Sequence, residues 1–96
     1  MATVTLRYWA AAKEAAGVAE EKVQARTLAD AVAAGAAAVR EAAPEPERTA
    51  RAERYRGILA RSSFLINSDP AGTRPPESVV LPEDAVIEVL PPFAGG

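Results

Sequence analysis

Residues 27–43 contain the longest run of helical periodicity in the chain, and they limit the fold more than any other segment. Thr27 can accept a hydrogen bond from the backbone N–H of Asp30, a T-x-x-D arrangement like a capping box. Leu28, Val32, Ala36 and Val39 then recur at helical spacing and form an apolar stripe wide enough to cover a sheet. Gly35 lies inside this helix, where it costs about 1 kcal/mol relative to Ala. Two readings stay open: it permits a close approach of helix and sheet, or it is simply tolerated. Pro44 and Pro46 end the helix.

The surrounding segments supply strands. In T-V-T-L-R-Y-W, Val4, Leu6 and Tyr8 share one face, and Thr3, Thr5, Arg7 and Trp9 the other. A-A-A-K-E-A-A follows as a short helix of about two turns, with Gly17 fitted to a left-handed C-terminal cap. Residues 20–25 read as a second strand returning beside the first. Residues 47–61 are rich in Arg and Glu, with Tyr55, Ile58 and Leu59 at helical spacing, and they predict a short amphipathic helix with a frayed start. Residues 63–67 are a third strand, and the Pro- and Gly-rich residues 68–77 a loop. Residues 78–81 read as a short edge strand, Glu83-Asp84 as a turn, and residues 85–90 as the last strand.

One covering helix with several one-sided strands predicts an α+β fold. The order fits a β-grasp, or ubiquitin-like, domain. Its mixed sheet has four to five strands, its terminal strands pair in parallel at the centre, and one main helix covers it. A ferredoxin-like arrangement uses similar elements.

The chain of 96 residues is sized for a single domain, 1–96, with a flexible tail over 91–96. A domain this small leaves little room for a deep active site of its own. The net charge is −2 with both signs interspersed, and no basic patch with interleaved aromatics indicates nucleic-acid binding. No apolar run approaches a membrane span, and no secretory signal is visible, so the expected location is cytoplasmic. The chain contains neither Cys nor His. Disulfides, thiolate nucleophiles, Ser-His-Asp triads and most zinc sites are thereby excluded. No cofactor or metal is expected on this chain.

The sequence ends L-P-P-F-A-G-G. Pro91 and Pro92 cannot donate backbone hydrogen bonds, so they end the last strand and stiffen its exit. Phe93 is followed by Ala94, Gly95 and Gly96, which have almost no side-chain bulk. The six residues beyond Leu90 reach roughly 20 Å. Such a tip suits chemistry inside another protein. Once its carboxylate is activated as an acyl-adenylate, glycine offers no Cβ to obstruct a narrow tunnel or an incoming nucleophile. Attack by a sulfur donor would leave a thiocarboxylate, which needs no cysteine on the carrier. At about 7% glycine usage, a terminal Gly-Gly is a weak signal alone. The Pro-Pro exit and the preceding strand sharpen it.

Three stretches carry a resemblance: R-Y-W-A-A-A-K-E-A-A-G near the start, T-L-A-D-A-V opening the long helix, and E-D-A-V-I-E-V-L-P-P-F-A-G-G at the end. The sequence resembles the MoaD/ThiS family of ubiquitin-like sulfur-carrier proteins, most closely the MoaD branch, the small subunit of molybdopterin synthase. Residues 44–61 and 68–77 depart from that pattern. The resemblance implies an E1-like adenylating enzyme that uses ATP to activate Gly96. It also implies a sulfur donor, either a sulfurtransferase or sulfide, and an acceptor such as the large subunit of molybdopterin synthase. The chain would then be a carrier or non-catalytic subunit, and ATP would belong to the activating enzyme.

Strand alternation places Val86, Glu88 and Leu90 opposite Ile87 and Val89. Trp9, Leu90 and Phe93 are therefore expected to form a partner-binding patch at the tail root, unless residues 47–61 cover Trp9. Three other readings remain. The carrier could serve thiamine, cysteine or thio-natural-product synthesis; the chain could be a ubiquitin-like protein modifier joined to lysines; or it could be an interaction module with an inert tail. An independent enzyme fits poorly, because Glu20-Glu21 and Glu83-Asp84 are adjacent solubilising charges and do not face each other across a cleft.

Overall fold

A computed structural model of the chain describes residues 1–92. The strands are β1 (Ala2–Tyr8), β2 (Glu20–Ala25), β3 (Ser63–Ile66), β4 (Asp69–Pro70) and β5 (Val86–Leu90). The helices are α1 (Ala10–Ala16), α2 (Leu28–Ala42) and α3 (Arg48–Ala60). The described strands form one sheet in the order β2-β1-β5-β3-β4. β1 and β5 are parallel, with Thr5 opposite Val86 and Tyr8 opposite Val89. β1 and β2 are antiparallel neighbours, as are β3 and β5. The ferredoxin-like alternative would need a parallel crossover after β1, so this topology removes it. The fold is a β-grasp.

Local chemistry sets most of the boundaries. The Asp30 N–H donates to Thr27 Oγ1 at 3.2 Å, and the Thr27 N–H donates back to Asp30 Oδ2 at 3.4 Å, a complete capping box on α2. Gly17 ends α1 with φ +78°, its N–H donating to the Lys13 carbonyl. On β1, Val4, Leu6 and Tyr8 are buried, while Thr3, Thr5 and Arg7 are half-exposed. Ile87 and Val89 join them from β5. From α2 come Leu28, Ala31, Ala36 and Val39, with Gly35 buried among them. Val32 is only half-buried, because the buried stripe passes through Ala31 and Gly35.

The structure corrects two strand boundaries. Residues 78–81 are not a strand. Pro75 and Pro76 remove backbone donors, a 3₁₀ turn forms at Pro76–Ser78, and Ser78 Oγ donates to the Pro75 carbonyl at 2.7 Å. Val80 makes only an isolated bridge to Thr27. The edge strand is instead β4, within the expected loop. Asn67 and Ser68 have φ +49° and +75°, a two-residue turn that folds Asp69 and Pro70 back on Leu65 and Ile66. Pro70 is tolerated there because an edge position asks for no inner-ladder donor. Asn67 Oδ1 also accepts the Val86 N–H at 2.9 Å, which ties this turn to the start of β5.

α3 is a full helix of 13 residues, with no frayed start beyond Glu47. It packs along α2 and α1 and buries Ala52, Tyr55, Ile58 and Leu59, so a second long helix lies on the side of α2. Tyr55 reaches over α2 to Tyr8, with ring centroids 5.8 Å apart and planes at 78°. The Tyr8 hydroxyl donates to Glu21 Oε1 at 2.6 Å and therefore accepts from the Tyr55 hydroxyl at 2.7 Å. Burial pushes both phenols well above their ordinary ionisation at pH 10.0. The site needs Gly35, since a Cβ there would overlap Tyr55 Oη and crowd the Tyr8 hydroxyl.

Two predictions follow from this junction. Gly35→Ala should destabilise the fold by about 2 kcal/mol, because overpacking outweighs the gain in helix propensity. In a Tyr55→Phe background the same change should cost about 1 kcal/mol less, read from a double-mutant cycle in denaturant melts. An equal cost in both backgrounds would place the strain elsewhere. For pH, both folded-state ionisations lie above the unfolded value, so stability is intact below pH 10.0 and declines as pH rises beyond it. Phenolate absorbance from the chain's two tyrosines should appear only together with cooperative unfolding. Reversible ionisation of the folded chain near the ordinary value would contradict the buried pair.

Candidate functional site

The parallel pairing of β1 and β5 brings the C-terminal ends of both strands to the same end of the sheet. Tyr8 lies opposite Val89, and the Trp9 N–H donates to the Val89 carbonyl at 3.3 Å. Trp9 therefore stands level with Leu90, where the chain leaves the sheet. Ser63 of β3 pairs with Leu90 on the other side. Leu90 is half-buried, Pro91 is buried and Pro92 is exposed. Phe93, Ala94, Gly95 and Gly96 lie outside the described residues.

Trp9 is extended, at φ −122° and ψ 149°, and Ala10 then takes φ +49° to start α1. A left-handed alanine costs about 1 kcal/mol, so the turn holds Trp9 at an abrupt strand-to-helix corner. Its side chain is 47% exposed. α3 does not cover it, because that helix packs against α1 and α2 on the helical side of the sheet. Around the indole is a shallow concavity lined by Lys13, Gly17, Val18 and Ala19. Val18 is 44% exposed, and sequence reading missed it. It sits in the α1–β2 connection, where no strand or helix period marks it. Leu90 does not line this concavity, so the apolar surface at Trp9 extends toward Val18.

The open face of the sheet is mixed in character. Val86, Glu88 and Leu90 alternate with buried Ile87 and Val89, and Leu65 lies opposite Glu88. Arg7 bridges Glu20 at 3.3 Å and Glu88 at 3.9 Å across three strands. These ion pairs are solvated and contribute little stability, but they interrupt the apolar surface between the tail root and Val86.

The described residues hold no group of three or more His, Cys, Asp or Glu placed to bind a metal. The two phenols with shifted ionisation are deep in the core and locked in their neutral form. Neither is placed to act as a base or nucleophile at the surface. The chemistry this arrangement can serve is presentation: a rigid central strand running into a Pro-Pro exit beside an exposed indole. No helix among the described residues is long and apolar enough to cross a membrane.

Solved structures share this fold along nearly the whole chain. Small archaeal modifier protein 1 from Methanosarcina acetivorans is similar with a TM-score of 0.70 and 19% identity, covering 100% of this chain and 98% of that one. SAMP1 from Haloferax volcanii gives 0.67 and 18%, covering 98% and 99%. A putative molybdopterin converting factor, subunit 1, from Pyrococcus furiosus gives 0.63 and 20%, covering 97% and 100%. At such identities the likeness is one of fold, and it matches the ubiquitin-like β-grasp topology. No protein-family model and no curated protein matches the sequence.

The exposure of Trp9 makes a direct prediction. It is the single tryptophan of the chain, so its fluorescence should be readily quenched by iodide or acrylamide in the folded protein. Quenching as weak as that of a fully shielded indole would contradict this corner geometry.

Proposed function

We propose that this chain is a ubiquitin-like sulfur carrier whose Gly96 carboxyl is the point of attachment. The observation that carries the reading is the tail root: the central strand β5 leads directly into Pro91-Pro92 beside Trp9. The fold shared with small archaeal modifiers and with a molybdopterin converting factor subunit supports it. An E1-like enzyme would join the Gly96 carboxylate to the AMP portion of ATP, releasing pyrophosphate. Hydrosulfide would then attack the acyl carbon and expel AMP, or the persulfide of a sulfurtransferase would attack it to give an acyl disulfide, which a thiol of that partner cleaves while itself ending in a disulfide. The product is a thiocarboxylate, –C(=O)S⁻, able to give its sulfur to a substrate held by an acceptor enzyme.

The chain itself would be non-catalytic and would work in the cytoplasm, with its partners supplying the ATP site and any metal. Trp9 and Leu90, together with Phe93, would form the surface those partners grip, and residues 94–96 the part that enters their active sites. The acceptor that best fits the tail sequence is the large subunit of molybdopterin synthase. Carriers for thiamine, cysteine or thio-natural products would use the same chemistry. A second reading is favoured by the modifier neighbours. There a lysine amine attacks the same adenylate, AMP leaves, and an isopeptide bond joins Gly96 to a protein.

Intact-mass analysis of the protein from its native host separates these readings. The carrier reading expects a species heavier by the difference between one sulfur and one oxygen, and that species should disappear when Gly95-Gly96 is deleted. A Gly96 adduct on cellular lysines without that species would support the modifier. If neither appears when an activating enzyme, ATP and sulfide are present, both are wrong.

A further inference from the structure

A second concavity lies beside α2, and its rim comes from residues within 44–61 and 68–77. α2 contributes Leu28 and Val32, the end of α3 contributes Leu59, and β3 contributes Phe64. These four apolar side chains form the floor of a cleft of about 460 Å³. Leu28 and Leu59 also belong to the core, while Val32 and Phe64 are half-buried and complete the floor. Its rim carries Arg56 from α3, and Thr73, Arg74 and Glu77 from the loop that follows β4.

The cleft is preformed. The Ala71 N–H donates to the Phe64 carbonyl at 2.9 Å, and the Leu28 N–H donates to the Val79 carbonyl at 2.9 Å, so the loop is fastened at both ends. Pro70, Pro75 and Pro76 restrict it further. Arg74 Nε donates to the Ala71 carbonyl at 2.9 Å, which fixes the guanidinium at the rim. Arg56 differs from its neighbours on α3. Arg48, Arg51 and Arg54 each reach a glutamate within 4.0 Å, whereas Arg56 has neither an ion pair nor a hydrogen bond among the described residues. Glu77 is the one carboxylate among the lining residues, and the described ion pairs do not include it. The rim thus has two cations to one anion above an apolar floor.

The geometry points to an anchor cleft for a short partner segment that presents a large apolar side chain next to a carboxylate. The cleft opens to solvent, so it suits a side chain projected from a partner backbone better than a small molecule engulfed on all sides. Burial of the apolar side chain on Val32 and Phe64 supplies affinity, and the pair with Arg56 supplies selectivity for acid. The placement also has a consequence. Ser62 lines the cleft and adjoins Ser63, which pairs with Leu90. A partner anchored here stands near the tail root, and simultaneous contact with the tail would raise its avidity. The cleft itself does not depend on the tail chemistry, and a chain lacking Gly95-Gly96 retains it.

The test is a ¹⁵N-resolved titration of the full chain with acetyl-Asp-Leu-Phe-amide, repeated with acetyl-Asn-Leu-Phe-amide and with 3-phenylpropionate. The expected result is amide shifts centred on Val32, Leu59, Phe64 and Thr73, with a Kd below about 1 mM. The Asn peptide should bind at least about fivefold more weakly, and Arg56→Gln should erase that difference while leaving the rest of the spectrum unchanged. Equal binding of the Asp and Asn peptides, shifts centred on Trp9 and Val18, or no shifts would each overturn the proposal. Phenylpropionate binding as tightly as the peptide would also overturn it and would identify a pocket for small acids.

Discussion

The molecule is organised around two phenols that meet over a glycine. Tyr8 comes from the sheet and Tyr55 from α3, and α2 passes between their backbones at Gly35. Glu21 on β2 completes the chain of hydrogen bonds. A buried hydroxyl without a partner would cost as much as a lost hydrogen bond or more, yet each hydroxyl here is satisfied by the next. The arrangement joins four elements that are far apart in sequence. It also explains why a helix otherwise rich in alanine carries a glycine on its buried face. A Cβ at Gly35 would overlap Tyr55 Oη, so the glycine lets α3 lay Tyr55 across α2 alongside its other buried residues, Ala52, Ile58 and Leu59.

With the helical side held this way, the sheet can present its terminal strand. The parallel pair β1–β5 sits at the sheet centre, flanked on both sides, so the start of the tail is fixed by two neighbouring strands. Trp9 is held level with that exit by its bond to Val89 and by the left-handed turn at Ala10. The base of the tail is thus fixed, with an exposed aromatic next to it. The rotamer and backbone entropy of the root is already lost before a partner binds.

The separate cleft is shared among four parts of the chain. α3 and the proline-bearing loop after β4 are distant in sequence, and α2 and β3 bring them together. The tail root is built on the β1–β5 pair, whereas the cleft forms where α2 and α3 meet β3 and the loop after β4.

The sequence by itself determined the pieces governed by local rules. The Thr27–Asp30 cap, the Gly17 turn, the alternation of Val4, Leu6 and Tyr8 and the extent of β2 depend on neighbours within a few residues, and all were legible. So was the β-grasp order, because a single covering stripe and one-sided strands leave few ways to bury apolar surface. Tertiary structure decided the rest. β-branched Val79 and Val80 carry a strand signal, yet the Pro75-Pro76 turn and the cap on Leu28 claim that segment, and the edge strand forms at Asp69–Pro70 because the Asn67-Ser68 turn folds it back. The periodicity of α3 was visible, but its partner was not: the Tyr8–Tyr55 contact spans 47 residues, and no local pattern encodes it. Val18 and the floor of the cleft were hidden for the same reason. Burial and exposure at those sites belong to the packing of whole elements, which sequence spacing along any single element does not contain.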